Sequence, residues 1–173
     1  MPEKPKRPIE LTVDSEIVLR QFRAEDAKVI FELIGRNRKH LSQHNDNTSL
    51  KYPTEASVLE SIEHPKNPSR LRFGIWVKET YVGTINITPQ DDKSSAEIGD
   101  YIGKEFTNKG YSTKSLNRIV LYAFENLRLS EVFGLVHKDN TPSIKVLCKA
   151  GFTEASEKRK GDILFYNKHK LYD

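Results

Sequence analysis

Apolar residues recur along this chain in two rhythms, and the places where the rhythm changes mark the elements. Ile17, Val18 and Leu19 form a short apolar strand, after which Ala27, Ile30, Phe31 and Ile34 repeat at helical spacing until Gly35 stops them. From Arg36 to Tyr52 the chain is polar, with only Leu41 and Leu50 as core candidates. A second helical pattern (Val58, Leu59, Ile62) opens behind Pro53-Thr54. The stretch between these helices is expected to be mobile and to face a substrate. At Leu71 the period falls to two (Leu71, Phe73, Ile75, Val77), which predicts a strand, a tight turn near Glu79-Thr80 and a return strand through Val82 to Thr88. A polar loop leads to a third strand, Ser95 to Ile102, completing a meander.

The strongest helical stripe follows: Leu116, Ile119, Val120, Ala123, Phe124 and Leu127. Val132 to His137 predict a strand. Thr141-Pro142 then predicts a capping hydroxyl and a proline in the first turn of a short helix ending at Gly151. Gly151 suits a left-handed position that brings Phe152 back onto Leu147. Ile163 to Phe165 predict a last strand. The order predicts one α+β domain over residues 9–173: a mixed, mostly antiparallel sheet with helices on both faces. Residues 1–8, with three prolines and three basic residues, are expected to form a flexible arm.

Composition narrows the class. With 36% hydrophobic and 30% charged residues, the 173-residue chain reads as one soluble globular domain, and no apolar run approaches the roughly 20 residues of a membrane span. No secretory apolar segment follows the first residues, and Cys148 is a single cysteine, so a retained N-terminus and a cytoplasmic location are expected. No His/Cys set has zinc spacing, so no metal is expected. The net charge of +4 favours an anionic partner, but much of it sits in the N-terminal tail and in Lys158 to Lys160 and is expected to be solvated surface rather than a nucleic-acid patch.

Candidate chemistry concentrates where the third strand enters Gly103-Lys-Glu-Phe-Thr-Asn-Lys-Gly-Tyr-Ser112 and then the long helix. Such a connection aims free backbone N–H groups and a partial positive charge at one point, which suits a phosphate, and Gly110 permits close approach of backbone to it. Taken alone, this is equally a plain strand-to-helix connection.

The wider set Glu97-Ile-Gly-Asp-Tyr-Ile102, Lys104-Glu-Phe106, Lys109-Gly-Tyr111, Leu121-Tyr-Ala-Phe-Glu125, Asn140-Thr-Pro-Ser143 and Gly151-Phe152 resembles the GNAT superfamily of N-acetyltransferases. Within it, the set is most similar to the branch that acetylates N-termini of ribosomal proteins. The resemblance implies a GNAT-like sheet splayed at an acyl-CoA gap, with acetyl-CoA as co-substrate. The backbone of Asp100, Tyr101 and Ile102 would pair with pantetheine, and Thr107, Asn108, Lys109, Gly110, Tyr111 and Ser112 would hold pyrophosphate. Asn140 matches an asparagine near the pantetheine arm, and Ser143 a serine facing the leaving thiolate. Glu97, at the start of the strand beside the gap, is the expected base, alone or through water.

Departures from the family pattern are Thr107-Asn108 in place of a basic start, Ser112 at the loop's end, Lys114-Ser115 after it, and Leu147 where a tyrosine acid is common. Lys109 or Lys114 is expected to replace the missing charge. The acceptor is expected to be a protein N-terminal amine, an acidic ribosomal protein among the partners. At pH 7 such an amine is about a tenth neutral, against about 0.04% for lysine, so a weak base suffices. A small amine such as an amino sugar, polyamine or antibiotic, and a non-catalytic CoA-binding module, remain open. The chain is expected to be a monomer or homodimer. His40 and His44 are expected on the surface, Trp76 in a structural role, and Cys148 as a buried, inert thiol.

Overall fold

The computed structural model describes residues 7–170. Most of the expected arm, residues 1–6, lies outside the described residues. The chain is already ordered by Ile9, whose N–H donates to Gln21 Oε1 at 2.9 Å. In chain order the elements are β1 (Glu10–Thr12), β2 (Ile17–Gln21), α1 (Ala27–Arg36), α2 (Thr48–Lys51), α3 (Glu55–Glu63), β3 (Leu71–Val77), β4 (Thr80–Pro89), β5 (Ser95–Ile102), α4 (Tyr111–Glu125), β6 (Glu131–Val136), α5 (Thr141–Lys149), β7 (Thr153–Arg159) and β8 (Asp162–Lys168).

The strands form one eight-stranded sheet in the order β1-β2-β3-β4-β5-β6-β8-β7. Among the described residues, every pairing is antiparallel except that of β5 with β6. One face packs Ile85, Ile98 and Val132 against Leu116, Ile119 and Ala123 of α4 and Leu147 of α5. A second cluster packs Ile30, Leu33 and Ile34 of α1 and Val58 of α3 around Tyr81. The mixed α+β reading with helices on both faces therefore holds.

The meander is held by its turns. Lys78 and Glu79, both left-handed (φ 46 and 68), close a two-residue hairpin between Val77 and Thr80. Past α5, Gly151 (φ 81) lets its N–H reach Cys148 O at 3.1 Å, while Phe152 N–H reaches Leu147 O at 3.0 Å. That double closure satisfies two carbonyls of the helix end.

The structure departs from the sequence pattern at several points. The first helix runs through Gly35 to Arg36, because helix packing rather than the local glycine sets its end. Leu50 is 80% exposed; α2 is a single turn too short to bury both faces. Asn140, not Thr141, caps α5: its Oδ1 accepts the Ser143 N–H at 3.3 Å. Cys148 is exposed, since it lies at the margin of the stripe formed by Ile144 and Leu147. Strands β1 and β7 have no counterpart in the apolar pattern.

Candidate active site

The site begins where the sheet fails. β5 pairs with β6 only from Ser95–Glu131 to Glu97–Phe133, yet β5 runs on to Ile102 and β6 to Val136. On its other edge β5 stays paired with β4 as far as Gly83–Ile102. The two central strands thus diverge after Glu97, and the gap-facing backbone of Ile98 to Ile102 has no strand partner among the described residues. Gly134 sits at the fork, where a Cβ would stand 3.5 Å from Ile98 O. Pantetheine, an extended chain bearing amides, has the shape and hydrogen-bonding groups for such an edge.

The loop beyond β5 continues the site. A 3-10 turn, Lys104–Phe106, ends at Thr107, whose Oγ1 donates to Lys104 O at 2.7 Å. Asn108 is left-handed at φ 60, and Gly110 caps α4 at φ 80, where an added Cβ would meet nothing within 4 Å. Asparagine is among the few non-glycine residues that enter this region readily. The first helical bond of α4 is Lys114 N–H to Gly110 O at 3.1 Å, so the N–H groups of Tyr111, Ser112 and Thr113 have no partner within the helix. They converge on a cavity of about 270 Å³ bordered by Ile102, Thr107–Thr113 and, from α5, Pro142, Lys145 and Lys149.

Those two lysines answer the missing basic start of the loop. They stand four residues apart on one face of α5, a spacing readable in the sequence but passed over because the motif lies elsewhere. Lys109 also borders this cavity, its Nζ 5.8 Å from the Phe106 ring centroid. Lys114 does not serve the site: its Nζ pairs with Asp14 Oδ2 at 2.8 Å, and the pKa of Asp14 falls to about 2, chiefly through that bond. The donors, glycine turn and cations fit a diphosphate.

A buried strut holds the loop. Asn37, at the end of α1, donates through Nδ2 to Leu33 O (2.9 Å) and Glu105 Oε2 (3.1 Å) and accepts the Lys104 N–H at Oδ1 (2.8 Å). Arg36 adds an ion pair to Glu105 at 3.2 Å. Partial burial pushes the Glu105 carboxyl up, but bonds from its own backbone, Asn37 and Arg36 bring it below the usual range. Asn37 was missed because it lies in a stretch read as mobile and polar. His40, from the same stretch, turns inward and hydrogen-bonds Ile102 O through Nε2 at 3.2 Å. His44 packs on His137 at the end of β6, with ring centroids 5.6 Å apart. His40 is thus half-buried rather than on the surface, while His44 is exposed as expected.

A larger pocket of about 760 Å³ opens beside β5, between the Asp46–Tyr52 region, α3 and the strands. Gly99, Asp100 and Tyr101 border it, as do Thr84, Asn86 and Arg72. Asn86 Oδ1 is buried and has no hydrogen-bond partner among the described residues. Tyr101 Oη bonds Tyr81 Oη at 3.0 Å, and burial pushes both hydroxyls up. Asp100 is exposed at the strand's open edge, its side chain on the same face of β5 as Ile98 and Ile102. Crowding by neighbouring protein, opposed by the Ser112 side chain and reinforced by Asp46, raises its carboxyl above the ordinary range.

The expected residues separate in space. Ile102 and Thr107 to Ser112 border the smaller cavity, and Asp100 and Tyr101 the larger. Glu97 borders neither; it is half-buried in the last paired rung, opposite Phe133. Asn140 and Ser143 border neither cavity but flank Pro142 at the start of α5. Among the described residues, no cluster of His, Cys, Asp and Glu is arranged to hold a metal, and no helix is long and apolar enough to cross a membrane.

The family model for the acetyltransferase (GNAT) domain matches residues 16–153. The chain belongs to the GNAT acetyltransferase family. The uncharacterized N-acetyltransferase p20 of Bacillus licheniformis is 35% identical over 101 residues, 54% of this chain and 57% of that protein. This chain thus spans a little over half the length of p20. YdaF of Bacillus subtilis (strain 168), provisionally named a ribosomal N-acetyltransferase, is 27% identical over 169 residues, covering 90% of this chain and 92% of YdaF. A solved structure of RimL, a ribosomal L7/L12 alpha-N-protein acetyltransferase in complex with coenzyme A, superposes with a TM-score of 0.81 at 16% identity. The superposition covers 92% of this chain and 98% of RimL. The splayed sheet is therefore the GNAT fold.

Proposed function

We propose that this chain moves an acetyl group from acetyl-CoA to the α-amine of a protein N-terminus, a ribosomal protein being the leading acceptor. The observation carrying this reading is the placement of two cavities at one splayed strand. A phosphate-sized cavity lies at the α4 N-terminus, and a larger open pocket lies beside the same stretch of β5. The relatedness to YdaF and the fold shared with RimL point to the same class of acceptor.

Acetyl-CoA supplies an activated thioester; the residues here supply position and charge. Tyr111, Ser112 and Thr113 offer N–H groups to the pyrophosphate, with Lys109, Lys145 and Lys149 nearby. The free edge of Asp100 to Ile102 fixes the pantetheine, so that the acyl group arrives beside the larger pocket. Asn140 caps α5 through Oδ1 and holds the start of the helix that carries Ser143, which hydrogen-bonds the departing sulfur. A carboxylate of β5 takes the amine's proton; Glu97 reaches it only through water.

A small amine is the second reading, favoured by the size of the pocket, which lies in the range of small-molecule sites. Thiol release from acetyl-CoA, measured across N-terminal peptides, polyamines and amino sugars, decides between them. The highest kcat/KM is expected with N-terminal peptides, and a loss of kcat in Ser143→Ala. Release with small amines alone would move the assignment to the second reading, and release with none would remove both.

A further inference from the structure

We propose that Arg72 is a specificity residue that holds a carboxylate carried by the acceptor a few bonds from its reacting amine. This rests on the acetyl-transfer reading above and names the acceptor chemistry that the reading leaves open.

One rung of the sheet carries the argument. Arg72 on β3 pairs with Asn86 on β4, and Asn86 pairs with Gly99 on β5. Residues directly opposite one another on neighbouring strands share a face, and all three border the larger pocket. Gly99 lies beyond Glu97, the last residue of β5 paired with β6, so it stands where the strands have parted. An added Cβ there would meet nothing within 4 Å. The missing side chain leaves an open passage from the pocket floor to the gap. Strands about 4.8 Å apart put the two ends of the rung roughly 10 Å from each other, and the long arginine side chain shortens that span. Two extended residues cover about 7 Å, so an acidic side chain near a peptide's N-terminus reaches Arg72 while its α-amine lies at Gly99.

Arg72 is set for an anion. It is half-buried, and its Nη1 donates to Ser61 O and Ser61 Oγ, both at 3.1 Å. Its guanidinium carbon lies 5.4 Å from the Phe22 ring centroid and 5.9 Å from that of Tyr52. These contacts fix the plane of the group. The other edge, Nε with Nη2, makes no hydrogen bond, and Arg72 has no ion-pair partner among the described residues. A charge taken partly out of water is ordinarily paired. The unused two-donor edge matches the two oxygens of a carboxylate. The surroundings agree in sign: Lys51, Lys66 and Arg70 border the same pocket, against Asp46, Glu60 and Asp100, of which Asp100 extends from the other face of β5. Asn86, in the middle of the rung, is neutral and leaves the arginine uncompensated.

The test uses the full chain with acetyl-CoA and matched acceptors. Peptides with Asp or Glu in the first three residues are compared with their Asn or Gln counterparts, and small amines with a carboxylate are compared with their amides. Wild type should favour the carboxylate member about 10- to 100-fold in kcat/KM, mostly through KM. In Arg72→Gln the two members converge, and stabilisation by CoA in a thermal-shift assay shows that this variant is folded and loaded. Where Arg72→Gln does not fold, Arg72→Lys takes its place: loss of the fork should cut the preference at least threefold. Gly99→Val should lower kcat/KM about 10-fold or more for every acceptor while CoA still stabilises it. An Arg72-dependent preference among peptides assigns the carboxylate to a protein N-terminus, and one among small amines alone assigns it to a small acceptor; either upholds the role of Arg72. A preference that survives in the loaded Arg72 variants, or that is lost in Arg70→Gln instead, overturns the proposal. So does full activity in Gly99→Val. Wild-type protein that releases no thiol with any amine overturns both this and the acetyl-transfer reading, whereas active wild type blind to the carboxylate overturns this alone.

Discussion

Replacing Asn37 with alanine removes one side chain of which only 4% is exposed, yet it should be felt at a cofactor site built from other elements. Its three hydrogen bonds join the end of α1 to the turn that starts the phosphate loop. Two neutral bonds contribute about 1 kcal/mol each and the bond to the Glu105 carboxylate about 1.5–3 kcal/mol. Glu105 is 40% exposed at its side chain and regains water, which cuts the last figure, so the loss in folding stability should be about 2–4 kcal/mol. For a chain of this size that lowers Tm by roughly 5–15 °C. The untethered loop must then be ordered by the ligand. Fixing two residues costs about 2–4 kcal/mol, of which the remaining Arg36–Glu105 pair retains part. CoA should therefore bind about 10- to 30-fold more weakly, equivalent to about 1.4–2 kcal/mol. Urea denaturation and calorimetric titration with CoA measure the two effects separately. Destabilisation with unchanged CoA affinity would refute the strut: the loop would then hold its shape unaided.

Lys145→Ala and Lys149→Ala should each weaken CoA binding about 3- to 10-fold and flatten its salt dependence, read by titration at two ionic strengths. Gly110→Ala meets no steric contact but keeps φ 80, so it should destabilise by about 1–2 kcal/mol in urea melts. Asn108→Gly, at φ 60, should be neutral or slightly stabilising by the same measurement. Asp100 gives a pH signature. Its folded pKa, about 6, lies above the ordinary 3.8, so the fold binds a proton that the unfolded chain has lost. Its effect is therefore nil below about pH 3.8, and stability falls as pH rises from there to about 6. Because Asp100 is exposed, solvent screens most of this effect: Asp100→Asn should raise Tm only slightly at pH 7.5 and leave it nearly unchanged at pH 3.5, read by scanning calorimetry.

The period-two run from Leu71 and the stripe from Leu116 specified their elements because burial on one face leaves a repeating mark in the sequence. β7 left none: Thr153–Arg159 is a nearly fully exposed edge strand, polar on both faces and paired only with β8 among the described residues. β1 is too short for any period. In the site, the phosphate loop was legible because backbone geometry and local sequence define it together. The division between Glu97 and Asp100 was not. Both stand on one regular strand but face opposite sides of the sheet, and only Glu97 lies within the β5–β6 pairing, a property of two segments brought together by the fold. Asn37 and His40 were illegible for a related reason, their partners at Leu33, Lys104, Glu105 and Ile102 being fixed by packing rather than by spacing.

The parting of β5 from β6 also makes the protein's own sheet a vacancy for extended chain. An interior edge attracts any segment able to complete it, including an unfolded stretch of a neighbouring molecule. Nucleotide cofactor bound there should act as a plug against strand invasion as well as a reagent. Protein stripped of CoA and concentrated should associate or aggregate more readily than loaded protein, and amides from Ile98 to Ile102 should exchange with solvent faster than those across the β4–β5 pairing.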